Sequence, residues 1–339
     1  MQKTVLVTGG LGYIGSHTTL VLHAAGWRPV IIDNLSNAKP SVLPRLNDLA
    51  GASLPFFKVD IRDRQGLTAL FKEIPFDAVV HFAGLKAVGE SVEKPALYHE
   101  NNVGGSAVLL EVMEKHGVKR MVFSSSATVY GSPERLPIDE RHPLRPQSPY
   151  GENKRDVERL LAARAATDPS FRYAALRYFN PIGAHPSGRI GEDPRGIPNN
   201  LLPFVAQVAV GKLPKLRVHG NDYPTPDGTG VRDYIHVMDL AMGHVCALDF
   251  LLRRNESITA NLGTGRGYSV LEVVKAFEQA SGRAVPLEMG PRRPGDVASC
   301  YANPSLAAEQ LDWRSTADIN EMCRDAWRWQ SQNPDGYPD

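Results

Sequence analysis

The sequence predicts an α/β protein: a doubly wound parallel sheet followed by a smaller C-terminal α/β domain. Three observations carry that reading. Short apolar runs alternate with helix-length segments through the first half, a glycine-rich turn follows the first of those runs, and beyond about Arg177 the chain turns rich in Gly and Pro.

In order, Thr4–Thr8 is β-branched and apolar and reads as a strand, and residues 13–25 have helical periodicity. Residues 29–33, 78–82 and 120–124 read as further strands, and residues 62–73 and 101–116 as helices between them. Apolar runs of four or five residues suit strands covered on both faces, and strands alternating with helices imply right-handed parallel crossovers. Residues 180–200 and 221–230 read as loops, with helices again at 200–210, 238–252 and 269–280. This places a cofactor domain at residues 1–180 and a substrate domain at 181–339, with residues 233–264 packing back on the first domain.

The chain has 38 basic and 37 acidic side chains, a net charge of +1, so an anionic ligand must be held by local groups and neither nucleic acid nor an anionic membrane is expected as partner. Cys246, Cys300 and Cys323 are odd in number and widely spaced, with neither zinc-ligand spacing nor a disulfide framework, so no metal is expected. No apolar stretch nears the roughly 20 residues of a membrane span. The chain runs from Met1 straight into a strand, without signal-peptide architecture, and a cytoplasmic location is the expectation.

Gly9-Gly10-Leu11-Gly12-Tyr13-Ile14-Gly15 lies between the first strand and the first helix. Glycines at 9, 12 and 15 let the backbone turn tightly and approach a pyrophosphate, which the helix N-terminus then receives. Alone the triplet is a turn; between a strand and a helix it reads as the dinucleotide loop of a Rossmann-type fold. Asp33 ends the second strand, where a carboxylate bonds the ribose hydroxyls and repels a 2′-phosphate, favouring NAD over NADP. Asp60-Ile61 after the third strand is placed to reach the adenine, and Phe82-Ala83-Gly84 puts backbone beside the cofactor.

Ser124-Ser125-Ser126-Ala127-Thr128 follows the fifth strand, and Tyr150 and Lys154 are four apart in a later helix, hence on one face. By itself the pair fits any amphipathic surface; after a dinucleotide half it reads as catalytic. A nearby ammonium and a positive nicotinamide would draw the Tyr150 pKa down from about 10, and Ser126 or Thr128 would relay the proton or hold the substrate oxygen. Two phosphates need local donors, and Arg232 and Arg293 are the candidates.

With these residues in place the chain resembles the extended short-chain dehydrogenases/reductases, and within them the UDP-glucose 4-epimerase family. The matching runs are residues 8–17, 81–91, 123–131, 148–151, 177–187, 197–202, 220–240 and 292–296. The resemblance implies tightly bound NAD and a reversible, redox-neutral inversion at C4 of UDP-galactose and UDP-glucose through a 4-keto sugar. In it Tyr150 is the base, Lys154 orients the nicotinamide ribose and Ser126 holds the 4-oxygen. It implies cofactor contacts from Tyr13, Ile14, Asn34, Leu35, Ser36, Asn37, Ala38, Leu85, Lys86, Asn101 and Phe179, with Tyr178 beside them. Ser126, Tyr150, Asn180, Asn200, Leu201, Arg217, Val218 and His219 are implied to meet the sugar nucleotide, with Arg232 and Arg293 at the diphosphate and Asp296 at the uridine ribose. His219 stands where family members carry phenylalanine beside the uracil, and imidazole can also stack. Cys300 stands where some members carry tyrosine; the smaller residue leaves room for an N-acetyl group, so UDP-GlcNAc and UDP-GalNAc are expected substrates, whereas the plainer reading of Cys300 is a small buried residue. The family commonly dimerises through two helices, here residues 101–116 and 150–166, and a homodimer is expected.

Rival readings fit less well. A nucleotide-sugar 4,6-dehydratase needs an additional acid and base, and Ser126-Ala127-Thr128-Val129-Tyr130 offers no carboxylate. Nothing singles out an arginine for the sugar carboxylate that a uronic-acid epimerase or decarboxylase would bind. A non-catalytic NAD(P) sensor would need neither Tyr150 nor Lys154.

Overall fold

The computed structural model describes residues 2–194, 196, 198, 200–293 and 295–338. Ile197, Asn199 and Pro294, which fall in two of the matching runs, lie outside the described residues. The first half runs β1 (Thr4–Thr8), α1 (Tyr13–Ala24), β2 (Arg28–Asp33), α2 (Val42–Ala50), β3 (Phe56–Lys58), α3 (Arg64–Glu73), β4 (Ala78–His81), α4 (Val88–Glu93), α5 (Pro95–His99), α6 (Gly105–Lys115), β5 (Arg120–Ser126), α7 (Pro149–Thr167) and β6 (Arg172–Tyr178). The remainder runs β7 (Asn180–Ile182), α8 (Leu201–Ala209), β8 (Leu216–His219), β9 (Val231–His236), α9 (Val237–Arg253), β10 (Ile258–Leu262), β11 (Gly267–Ser269), α10 (Val270–Ser281), β12 (Leu287–Gly290), β13 (Ser299–Cys300), α11 (Ser305–Gln310) and α12 (Ile319–Gln332).

Seven strands form one parallel sheet in the order β10-β6-β5-β4-β1-β2-β3. The order reverses between β1 and β4, and at that switch point the C-terminal strand ends splay into a ligand crevice. Val5, Leu6 and Val7 are fully buried, as are Val79 and Val80, because helices cover both faces: α1 and α9 pack on one, α3, α6 and α7 on the other. The last strand, β10, comes from far along the chain and pairs with β6 from Ile258 opposite Ala174 to Leu262 opposite Tyr178.

The second lobe centres on β9, flanked by β11, β13 and β7, with a separate β8–β12 pair beside it. Its core joins α8, α10 and α12 through Leu202, Val205, Val273, Phe277, Met322 and Cys323. The stretch 180–200, read from sequence as loop throughout, begins with β7, whose three residues pair with β9 opposite Tyr234, Ile235 and His236. The segment read as one helix over 101–116 opens with a wider π turn at Glu100–Gly104 before α6, a distortion frequent near functional sites.

Helix starts follow local chemistry. Asp63 caps α3, Ser148 caps α7 with Pro149 in its first turn, Ser269 forms a capping box with Glu272 on α10, and Asp318 caps α12. The start of α1 differs: Gly12 caps nothing with a side chain and the first turn holds no acidic residue. Its free N–H groups point into the crevice. Among the described residues, no helix is long and apolar enough to cross a membrane.

Candidate active site

The glycine loop is built for close approach. Gly9 has φ +65° and turns the chain, and a Cβ there would meet the Ala83 nitrogen at 2.8 Å, so the ends of β1 and β4 touch. A Cβ on Gly15 would lie 2.2 Å from the Gly9 carbonyl oxygen, whereas one on Gly12 would meet that oxygen at 3.2 Å and nothing else within 4 Å. Gly15 therefore seats the helix on the loop, and Gly12 opens toward the crevice. The Asp33 carboxylate sits over this turn, accepting from the backbone nitrogens of Leu11 (3.3 Å) and Leu35 (2.9 Å), and burial lifts its pKa. Leu35 itself adopts φ +63°, a costly conformation for a branched side chain that lies in the segment assigned to the cofactor. A cradle without side chains, an uncapped helix start and a carboxylate at the end of β2 fit a dinucleotide.

Other assigned residues hold partners within the protein. Asp60, read as an adenine contact, holds Arg62 through Nε and Nη2 (3.0 and 2.9 Å) and accepts from Asn34 Nδ2 at 2.8 Å; Arg62 keeps its carboxyl far below the usual range. Ile61 points into the core under Gly105, which leaves only its backbone for a ligand. Asn101 donates to Asn102, and Asn102 in turn clamps Leu85, accepting from its nitrogen at 2.8 Å and donating to its oxygen at 3.0 Å. Lys86 and Asn200, from opposite sides of the crevice, both reach Glu192 Oε1 at 3.0 Å. The Tyr13 hydroxyl donates to the Gly183 carbonyl at 2.8 Å.

The residues read as catalytic come together at the end of β5. Ser126 caps a single 3₁₀ turn, Ala127–Val129, and its Oγ accepts from the Thr128 nitrogen (3.2 Å) and hydroxyl (3.0 Å). Ser126 is near enough to the Tyr150 phenol to favour its ionised form, so Ser126 faces the tyrosine and Thr128 stands behind it. Lys154 Nζ donates to the Ser124 carbonyl at 2.6 Å and lies 5.7 Å from the Tyr150 ring centre. Burial pushes the Tyr150 phenol up to about 12, with Ser126 working against it. The sequence reading assigned the lowering of this phenol to the ammonium and the nicotinamide together; in the protein alone, burial dominates. The ammonium is itself buried and drawn down to about 8, Glu158 opposing that shift, and the protein alone leaves the phenol protonated. A further positive charge at the crevice is required to lower it.

The second lobe brings Arg217, His219, Arg293 and Asp296 together: burial lowers the His219 pKa, Arg293 and Arg217 add to the shift, and Asp296 opposes it. Arg232 donates to the carbonyls of Val231 and Val297, both at 2.9 Å, and stands 3.6 Å from Asp296. Of the two adjacent arginines it is Arg292 that is committed elsewhere, to Asp222 at 2.8 Å and the Tyr223 ring. Val218 buries its side chain in the lobe core and Leu201 packs against that core, so the backbone is what either offers a ligand freely. Asn180 starts β7. Cys300 packs with Ala127 around Phe179, Val129 and Ala302, which places it beside the catalytic strand end, and burial raises its thiol to about 11.

Several residues of the site escape a sequence reading. Glu158 and Arg177 form a buried ion pair behind Lys154, Asn102 and Glu192 orient assigned residues, and Asp233 accepts from Thr264, Gly265 and Ala302 beneath Arg232. A charge inside the otherwise apolar run Tyr173-Ala174-Ala175-Leu176-Arg177 was the available signal for Arg177. Among the described residues, no group of three or more His, Cys, Asp or Glu could hold a metal ion.

Comparison with known proteins agrees with this geometry. Residues 6–326 match a family model described as GDP-mannose 4,6 dehydratase. A UDP-glucose 4-epimerase of Bacillus subtilis is 56% identical over 98% of both chains. The crystal structure of a UDP-glucose-4-epimerase from Stenotrophomonas maltophila, with bound NAD and formylated UDP-arabinopyranose, superposes with a TM-score of 0.96 at 50% identity, covering 98% of this chain and 99% of that one. The UDP-Glc/GlcNAc 4-epimerase of Campylobacter jejuni gives a TM-score of 0.85 at 37% identity, covering 97% and 99%. The dehydratase description and the epimerase names divide at the strand end 126–130, where no carboxylate stands. The chain belongs to the UDP-glucose 4-epimerase family of the extended short-chain dehydrogenases/reductases.

Proposed function

We propose that this protein interconverts UDP-galactose and UDP-glucose by inverting C4 of the hexose with NAD held at the glycine loop. The observation that carries this reading is the Ser126–Tyr150–Lys154 constellation, set at the end of β5. NAD, when bound, supplies the hydride acceptor and, on its return, the donor. Tyr150 takes the proton of the 4-hydroxyl and later restores it. Ser126 holds the 4-oxygen and donates to the phenolate, and Lys154 keeps a positive charge at the ring. Arg232 and Arg293 hold the diphosphate, Asp296 and the backbone at Val218 the uridine, and His219 stacks on the base. Held by its diphosphate, a 4-keto sugar could turn and present either face to the hydride that bound NAD would return, which is what inversion requires. Incubation with UDP-galactose, followed by quantification of UDP-glucose, tests the activity; NAD retained without turnover would favour a sensor instead.

We extend the substrate range to UDP-GlcNAc and UDP-GalNAc. Cys300 borders Phe179 and Ala127, and a cysteine there leaves volume that a tyrosine would fill. Loss of activity on acetylated sugars alone in Cys300→Tyr supports this gate, whereas undiminished activity on them refutes it.

We further propose a homodimer through α6 and α7 in the cytoplasm. Val88, Val92 and Leu97 stand exposed on the short helices beside them, next to a groove of about 600 Å³ lined by residues of α5 and α7. Light scattering of wild type and Val92→Glu tests the assembly. The cytoplasmic placement rests on three free cysteines.

A further inference from the structure

We propose that Glu158, locked by Arg177 and Ser125, is a positioning residue for the catalytic lysine, fixing the depth of the Tyr150–Lys154 face and keeping one negative charge beneath the ammonium. The inference rests on the role given to Lys154 above.

The helix α7 meets the end of β5 at two points one turn apart. Lys154 Nζ donates to the Ser124 carbonyl at 2.6 Å, and four residues on, Glu158 Oε1 accepts from the hydroxyl of the next strand residue, Ser125. Both Glu158 oxygens are then taken by Arg177 of β6, from Nε at 3.0 Å and Nη2 at 2.7 Å. The side chains of Arg177 and Glu158 are 6% and 9% exposed, so the pair works in a low-dielectric interior where charge acts over distance. A two-pronged guanidinium leaves the carboxylate one orientation.

Arg177 is itself anchored. Its Nη1 donates to the Tyr130 hydroxyl at 3.0 Å and to the Glu140 carbonyl at 3.3 Å, Tyr130 donates to Asn261 Oδ1 at 2.6 Å, and Asn261 Nδ2 donates to the Ile138 carbonyl at 2.9 Å. Ile138 bonds the backbone on either side of Ala302, two residues past Cys300. The clamp therefore spans β5, β6, α7 and β10 and ends beside the strand that borders the sugar.

A purely structural ion pair would need no particular neighbour, and here the neighbours are few. Tyr150 and Glu158 face Lys154 from its own helix, and His81 from β4, held neutral by burial. From β6 come Arg177, through Glu158, and Tyr178, whose hydroxyl joins Ser124 and His244. Tyr98 of α5 reaches the group only through Tyr150. Glu158 stands one helical turn from Lys154, anchored to the neighbouring strand residue, and its charge favours the ammonium.

The test is a lysine 13Cε NMR titration of the holoenzyme, with the Lys154 signal assigned from Lys154→Arg. In Glu158→Gln the Lys154 midpoint is expected to fall by about one pH unit, tenfold in proton affinity, and the alkaline limb of kcat moves with it while KM for UDP-galactose holds. Because the single change leaves Arg177 buried without its partner, the double variant Glu158→Gln, Arg177→Met provides a folded reference in which the midpoint also falls. Glu158→Asp keeps the charge: the midpoint stays while kcat drops through lost alignment. A folded double variant with an unmoved Lys154 midpoint overturns the proposal. The titration does not depend on turnover, so a wild type inactive on UDP-galactose would sink the functional reading and still leave Glu158 judged.

Discussion

The contrast between Gly12→Ala and Gly15→Ala separates seating of the helix from admission of the cofactor. A methyl at Gly15 would stand 2.2 Å from the Gly9 oxygen and 2.8 Å from the Gly10 Cα, both backbone atoms that cannot rotate away. Alanine would ordinarily gain about 1 kcal/mol over glycine within a helix, and overpacking against fixed backbone lies at the upper end of about 1–3 kcal/mol, so a net loss of about 2 kcal/mol is expected. With roughly 2.1 cal/mol/K of unfolding entropy per residue, a chain of 339 residues loses about 1.4 °C of Tm per kcal/mol, hence about 3 °C. At Gly12 the added carbon meets one atom at 3.2 Å in a position with φ −72° and ψ 173°, which alanine adopts freely. The cap change costs a few tenths of a kcal/mol, and Tm of the cofactor-free protein should move by under about 1 °C. NAD retention through gel filtration should nevertheless fall in Gly12→Ala, since the methyl occupies the crevice. Calorimetry of the stripped proteins and absorbance of released nucleotide read the two effects. Equal melting of the two variants, or full NAD retention by Gly12→Ala, would refute the division of labour.

Further outcomes follow from the same geometry. Tyr150→Phe should lose at least about 1,000-fold in kcat with Tm unchanged, checked on UDP-galactose; near wild-type turnover would end the mechanism. The stability of the protein should fall in acid. His17 and His81 are held neutral to about 3 and His244 to about 4, all by burial, so between about pH 6.5 and those values the unfolded chain binds more protons. Stability rises with pH across that window, each histidine contributing about 1.4 kcal/mol per unit, and His81→Asn should flatten the slope of Tm against pH even where it lowers Tm itself. Arg232→Ala should raise KM for UDP-galactose more than it lowers kcat, and weaken UDP binding in calorimetry, if the guanidinium meets the diphosphate.

What could be read from the chain was what is local. The glycine loop, Asp33 and the Tyr150–Lys154 spacing each declare their chemistry within a few residues of a strand end or on one helix turn. Glu158, Asn102, Glu192 and Asp233 act through partners 17 to 106 positions away, which periodicity does not encode. The partners of Asp60 were hidden because a carboxylate after a strand looks alike whether or not it also holds Arg62 and Asn34. Ile61 and Val218 belong to segments that face the crevice with backbone while their side chains serve the core. The opposing effect at Tyr150 was hidden for a related reason: spacing shows that an ammonium is near, and only burial shows how far desolvation acts against it in the protein alone.

The seventh strand of the large sheet has a consequence for biogenesis. From Tyr178, where β6 ends, to Ile258, where β10 begins, the ribosome must add 80 residues, about 4–16 s of synthesis. Throughout that interval Ala174, Ala175 and Leu176 form an open sheet margin, able to zip onto another nascent chain. The strand carries two cations, Arg172 and Arg177, and charge on an unpaired margin disfavours such pairing until β10 closes it.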